Sequence, residues 1–136
     1  FVLECDWRIY EKTNSGIFCR VPQKEGRASM LGFEIQIMDD NNRRPEDQLT
    51  GSLFQRADAG VKAARPVGEW NHYEITCIAR HVRIVLNGVI VNDVDMNAIA
   101  SMKDVPAEGY IGLQNHDTPV DFRNVRIREL KMTPAK

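Results

Sequence analysis

Apolar and polar residues alternate along several short segments of this chain with the period of two that is typical of half-buried β-strands. The alternation predicts strands at 1–10, 16–21, 33–38, 50–55, 73–79, 82–86, 89–91, 109–114 and 122–129. Asn87-Gly88 joins two of them and supplies the positive φ values that a tight hairpin turn requires. Segments 39–45 and 55–68 are polar, contain proline or glycine, and are predicted to be loops.

Helical periodicity is almost absent from the chain, and only segment 95–102 is predicted to hold a helical turn or two. Many short strands with little helix predict an all-β fold in which two antiparallel sheets pack as a β-sandwich. The chain has 136 residues, of which 43% are hydrophobic. This supply of apolar side chains suits one compact core, so we expect a single domain over residues 1–136.

Charge and hydropathy make two kinds of interaction unexpected. The 18 basic and 19 acidic residues are interspersed and give a net charge of -1, which provides no field to attract a phosphate backbone. No apolar run approaches the roughly 20 residues that cross a bilayer as a helix. We therefore expect neither nucleic-acid binding nor a membrane span.

Cysteines and carboxylates show no spacing typical of a metal site. Cys5, Cys19 and Cys77 lie far apart at apolar positions of predicted strands, which favours three small buried side chains over a disulfide or a zinc site. The acidic pairs at 39–40 and 93/95 are isolated from other candidate ligands. No metal and no other cofactor is expected.

Residues that form directional hydrogen bonds recur on the polar faces of the predicted strands. These candidates are Asp6, Arg8, Arg20, Glu34, Gln36, Gln114 and His116. Arginine, carboxylate, amide and imidazole groups suit the recognition of sugar hydroxyls. Two interpretations stay open, because the same side chains could simply pair across neighbouring strands, each pair contributing about 0.2–1 kcal/mol.

Motifs along nearly the whole chain carry a resemblance to a known family. They are Asp6-Trp7-Arg8, Asn14-Ser15-Gly16-Ile17 with Arg20, Phe33-Glu34-Ile35-Gln36-Ile37 with Asp39, Thr50-Gly51, Gly68-Glu69-Trp70-Asn71, Leu86-Asn87-Gly88, Gly109-Tyr110-Ile111-Gly112-Leu113-Gln114 with His116, and Phe122-Arg123-Asn124-Val125-Arg126-Ile127. In these motifs the sequence resembles the domain of unknown function 1080 (DUF1080), also described as the 3-keto-disaccharide or 3-keto-glycoside hydrolase domain.

The resemblance implies a fold, a location and a partner. Family members have a concanavalin A-like jelly-roll sandwich similar to that of lectins and glucanases, and bacteria export them to the periplasm or the exterior. The N-terminal strands of that family precede the segment matching Phe1, so we expect this chain to lack them. The expected partners are a 3-keto saccharide and further domains or an N-terminal segment of the same protein.

The resemblance also implies a reaction. A ketone at C3 acidifies the proton on C2 of the sugar. Removal of that proton gives an enolate, elimination expels the glycosidic oxygen at C1, and water then adds to the unsaturated sugar. Such chemistry requires a base, a donor to the enolate oxygen and an acid for the leaving group.

The resemblance implies roles for eight residues. Glu34 is expected to be the base, His116 the acid or proton shuttle, and Arg20 or Arg8 the group that stabilises the enolate oxygen. The residues expected to hold the substrate are Asn14, Gln36, Asp39 and Gln114. These side chains are expected to converge on one hollow. The alternatives are a non-catalytic carbohydrate-binding module of an exported protein and a scaffold domain, because one fold serves many functions.

Overall fold

Eight antiparallel strands form the computed structural model of the protein, which describes residues 1–42 and 44–131. The strands are β1 (Val2–Ile9), β2 (Asn14–Val21), β3 (Phe33–Met38), β4 (Trp70–Ile78), β5 (His81–Leu86), β6 (Val89–Asp95), β7 (Tyr110–Leu113) and β8 (Val120–Arg128). A four-residue helix, α1 (Ala28–Leu31), precedes β3. None of the helices in the described residues has the length and apolar character needed to traverse a bilayer.

The strands are divided between two sheets. One sheet has five strands in the order β6-β5-β4-β1-β8, and the other has three in the order β3-β2-β7. Neighbours in both sheets run antiparallel. The all-β sandwich predicted from the alternation is confirmed.

The core lies between the two sheets and takes the apolar face of each. Its largest fully buried side chains are Trp7, Tyr73, Phe33, Leu3, Ile17, Ile35, Ile37, Leu53, Ile75, Ile84, Leu86 and Met96. Burying one such aliphatic or aromatic side chain contributes about 1.5–3 kcal/mol. The three cysteines are buried in the core as free thiols, as their sequence positions predict.

Two local predictions are confirmed and one is wrong. Asn87 and Gly88 have φ values of 50° and 81° in the β5–β6 hairpin, and segment 95–102 holds two short 3₁₀ turns at Met96–Ala98 and Ala100–Met102. Segment 50–55 is not a strand, because positive φ values at Gly51 and Gln55 interrupt it. It makes an isolated bridge to β3 through Leu53.

Strand β3 is buried along its whole length, on both faces. Its odd-numbered side chains enter the core, while Glu34 and Gln36 point to the outer face of the three-stranded sheet. Segment 46–54 lies alongside that strand. The backbone N–H of Phe54 donates to the Glu34 carbonyl, and the Gln36 side chain donates to the Gln48 carbonyl. The backbone of this strand and the side chain of Gln36 are therefore held by segment 46–54.

Candidate active site

A hollow of about 320 Å³ opens on the outer face of the three-stranded sheet. It is lined by Asn14, Phe18, Arg27, Ala28, Ser29, Glu34, Phe54, Gln114 and His116. The antiparallel register explains why residues distant in sequence meet there: Phe18 on β2 stands opposite Glu34 on β3 and opposite Gly112 on β7. Four residues proposed from the sequence, Asn14, Glu34, Gln114 and His116, thus share one hollow.

Glu34 is the acidic group of this hollow. The residue is only 3% exposed, and its carboxylate has no hydrogen-bond partner among residues 1–42 and 44–131. Burial raises the pKa of the Glu34 carboxyl to about 7, although the nearby positive charge of Arg27 acts in the opposite direction. A carboxyl group that titrates near neutral pH is suited to accept and return a proton.

Other polar side chains around the hollow are also unpaired within the described part of the chain. The Oε1 atom of Gln114 is shielded from solvent and has no partner. The guanidinium of Arg27, the hydroxyl of Ser29 and the imidazole of His116 line the same space without an internal hydrogen bond. Since buried polar groups in folded proteins are normally paired, the buried groups of Glu34, Ser29 and Gln114 fit a ligand that forms hydrogen bonds, whereas Arg27 and His116 are exposed.

Gln36 lies beside the hollow rather than in its lining. Its side-chain N–H group donates to the carbonyl of Gln48 at 3.1 Å and to the amide oxygen of Asn14 at 3.4 Å. Its own Oε1 atom is buried and has no partner in the described residues. Gln36 can therefore position Asn14, whose side chain reaches the hollow.

A second polar surface, which we call the paired face, covers the outside of the five-stranded sheet. There the Asp6 carboxylate accepts hydrogen bonds from Arg123 and Asn124 and contacts the Nδ1 atom of His72 at 2.7 Å. Burial acts to raise the pKa of Asp6, but these three partners outweigh it and lower the pKa to about 2. The interpretation that polar side chains pair across strands therefore holds on this face.

Arg8 belongs to the paired face and not to the hollow. Its guanidinium donates to the Asp121 carboxylate at 2.7 and 3.0 Å and lies over the ring of Trp70, 4.6 Å from the ring centroid. The expectation that Arg8 meets Glu34 is wrong, because β1 and β3 belong to different sheets. The alternation predicts which face of a strand a residue occupies, but it does not predict which sheet the strand joins.

Arg20 is also outside the hollow, and a local irregularity explains why. The pairing of β2 with β7 shifts between Phe18 and Val21, and Arg20 has a φ of 53°. This bulge breaks the alternation that placed Arg20 beside Glu34. The guanidinium is buried instead, where it donates to the carbonyl of Ala79 at 2.5 Å.

Asp39 closes the turn that follows β3. Its carboxylate accepts the backbone N–H groups of Lys12 at 2.9 Å and Asn41 at 3.1 Å, and it does not line the hollow of Glu34. The expectation that Asp39 joins the other candidates is therefore corrected. A short polar side chain after a strand often bonds to nearby backbone in this way.

Five lining residues were missed by the sequence reasoning: Phe18, Arg27, Ala28, Ser29 and Phe54. Phe18 could have been found, because the alternation of β2 places it on the face of Gly16. The residues at 27–29 belong to the entry of α1, which has no side-chain cap and no acidic first turn to mark its start. The sequence gives no comparable signal for that segment.

Comparisons with known proteins give consistent results. The family model of the 3-keto-alpha-glucoside-1,2-lyase-like domain matches residues 1–128. The curated 3-keto-disaccharide hydrolase of Bacteroides thetaiotaomicron is 25% identical over 177 aligned residues, which include 96% of this chain and 58% of the relative. This chain thus spans less than two thirds of that relative's length.

Solved structures show the same fold. A candidate glycosyl hydrolase from Parabacteroides distasonis superposes with a TM-score of 0.84 at 27% identity, covering 95% of this chain and 77% of the other. The carbohydrate-binding module CBM66 from Bacillus subtilis has a TM-score of 0.61 at 17% identity, with 92% and 72% covered, and shows the fold alone. Because the family model matches nearly the whole chain, the protein belongs to the 3-keto-alpha-glucoside-1,2-lyase-like domain family.

Proposed function

We propose that this protein cleaves 3-keto-glycosides by elimination, with Glu34 as the base. The observation that carries the proposal is the unpaired carboxyl of Glu34, whose pKa is about 7, in a hollow that also holds His116. The resemblance of the chain to the named hydrolase supports the substrate class. The ketone is essential in this scheme, because it acidifies the C2 proton enough for a carboxylate to remove it.

In the first step the Glu34 carboxylate takes the proton from C2, and the electron pair of the C–H bond forms a C2–C3 double bond as the carbonyl electrons move to O3. The enolate then restores the ketone, and its electrons form a C1–C2 double bond while the C1–O bond breaks. His116 supplies a proton to the departing oxygen. The products are an alcohol and an unsaturated keto sugar.

Hydration completes the reaction. Water adds its oxygen to C1 and gives one proton to His116, while C2 regains a proton from Glu34, so that both side chains return to their starting states. The amides of Asn14 and Gln114 are placed to hold sugar hydroxyls through this sequence, because both line the hollow. An amide group can donate and accept at once, which matches the hydroxyl group of a sugar.

The alternative function is carbohydrate binding without catalysis. It is favoured by the similarity of the fold to a carbohydrate-binding module. The two functions differ in what Glu34 must do. A base must be ionised, whereas a binding site can hold a sugar hydroxyl with a neutral side chain. Replacement of the carboxyl group by an amide therefore separates them.

The test is to incubate the protein with a 3-keto-glucoside and follow the ultraviolet absorbance of the unsaturated keto sugar, with the plain glucoside as the substrate control. We expect wild type to cleave the keto sugar alone, and Glu34→Gln to lose about 10²–10⁴-fold in rate. Glu74→Gln, on the other sheet, is the matched control and keeps wild-type activity. Cleavage by Glu34→Gln at the wild-type rate would exclude Glu34 as the base.

A further inference from the structure

We propose that Arg27 is the cationic group that holds the enolate oxygen O3 during the elimination. This assignment rests on the proposed function. Arg8 and Arg20 cannot stabilise the enolate oxygen, because both lie outside the hollow of Glu34. The charge that develops on O3 needs a donor already in position, because preorganised donors stabilise a transition state without a reorganisation cost.

The position of Arg27 is set by the chain that leads into α1. Its backbone carbonyl accepts the N–H groups of Met30 and Leu31, both at 2.9 Å, which fixes the residue at the first turn. Its side chain lines the hollow together with Ser29 and Glu34. Within the described residues the guanidinium has no hydrogen-bond partner, so its donors are available to a ligand.

Arg27 has the right chemistry for an oxyanion. A guanidinium keeps its charge at every pH at which the protein is folded and presents several N–H donors in a rigid plane. The hydroxyl of Ser29 in the same lining can add a further donor, because it has no partner in the described part of the chain.

Among the residues that the structure describes, three ionisable side chains line the hollow. Arg27 comes from the entry of α1, Glu34 from β3 and His116 from the segment after β7, while Asn14, Phe18 and Phe54 contribute no charge. The positive charge of Arg27 opposes the effect of burial on Glu34. One side chain thus both favours the ionised base and faces the oxygen that becomes negative.

The experiment compares Arg27→Gln with Lys24→Gln, which removes a cation from the same loop but outside the hollow lining. With a 3-keto-glucoside as substrate, we expect Arg27→Gln to lose about 10²–10³-fold in kcat. Its pH profile shifts as well, because Glu34 without the neighbouring charge ionises at higher pH. Lys24→Gln keeps the wild-type rate and pH profile, and Arg27→Lys recovers part of kcat.

A second measurement does not depend on turnover. Carbon-13 NMR titration of the Glu34 carboxyl in wild type and in Arg27→Gln reports the pKa directly, and we expect a higher value in the variant. Normal turnover by Arg27→Gln with an unchanged pH profile would overturn the role of Arg27 while leaving the proposed reaction intact. Failure of wild type to cleave any 3-keto-glucoside would overturn the reaction and, with it, this role.

Discussion

The carboxylate of Glu34 occupies the space that a side chain at position 16 would fill. Gly16 on β2 lies beside Glu34 on β3, and a methyl group built on Gly16 would overlap the Oε1 atom. Gly16 is paired with Gln36, the other polar residue of β3, and its lack of a side chain leaves room for the Glu34 carboxylate between the two strands. The glycine is required here by close approach and not by an unusual φ.

Gly16→Ala is therefore expected to move the Glu34 carboxylate and to lower kcat/KM for a 3-keto-glucoside about 10²-fold, the usual cost of misplacing a reacting group by about 1 Å. The added methyl group also costs about 1–3 kcal/mol of stability if the neighbours cannot shift. Steady-state kinetics and thermal unfolding measure the two effects. Gly60→Ala is the control, since the nearest atom to its added methyl is 3.7 Å away and little change is expected.

The pH dependence of activity follows from the same carboxyl group. Glu34 must be ionised to act as a base, and its pKa is about 7. We expect the acidic limb of the kcat/KM profile to rise with pH with its midpoint near pH 7. Initial rates across pH 5–9, corrected for cleavage without enzyme, measure this. A plateau already reached at pH 5 would contradict the assignment of Glu34.

Folding stability is expected to fall as the same group ionises. In the unfolded chain the Glu34 carboxyl loses its proton near its ordinary pKa of 4.5, whereas in the folded protein it keeps the proton until about pH 7. The folded state therefore binds more protons between these values, and the free energy of unfolding decreases by up to about 3 kcal/mol as the pH rises from 4 to 8.

The Glu34→Gln variant isolates that contribution, because glutamine does not titrate. Chemical unfolding at pH 4, 6 and 8 measures the free energy of unfolding of both proteins. We expect the stability of the variant relative to wild type to increase by about 3 kcal/mol between pH 4 and pH 8. Other titrating groups are common to both proteins and cancel. A difference in the free energy of unfolding between the two proteins that stays constant over the whole pH range would show that Glu34 has an ordinary pKa in the folded protein.

Arg20 is expected to serve the fold and not the reaction. Its guanidinium is buried and donates to the Ala79 carbonyl, so Arg20→Gln should lower the free energy of unfolding by about 1–3 kcal/mol. At a temperature where the variant is folded, its pH profile with a 3-keto-glucoside should match that of wild type. A selective loss of kcat in a fully folded Arg20→Gln would place Arg20 in the reaction after all.

The sequence predicted most of the fold because the strands are amphipathic and the hairpin carries Asn87-Gly88. It predicted part of the site because Glu34 and Gln114 follow the alternation of their own strands. The alternation could not reveal that Arg20 lies in a bulge, nor that Arg8 belongs to the other sheet, since both depend on long-range pairing. Arg27 was missed because no periodic element marks it.

The alternation of β3 also limits how this protein can evolve. Glu34 and Gln36 point to the outer face of the sheet while Ile35 and Ile37 fill the core. A shift of one residue along the strand would therefore send the isoleucines outward and a carboxylate into the interior. Insertions and deletions within the strand are therefore expected to be eliminated by selection. New substrate preferences are expected to arise instead by point substitutions around α1 and in the loops at the edge of the hollow.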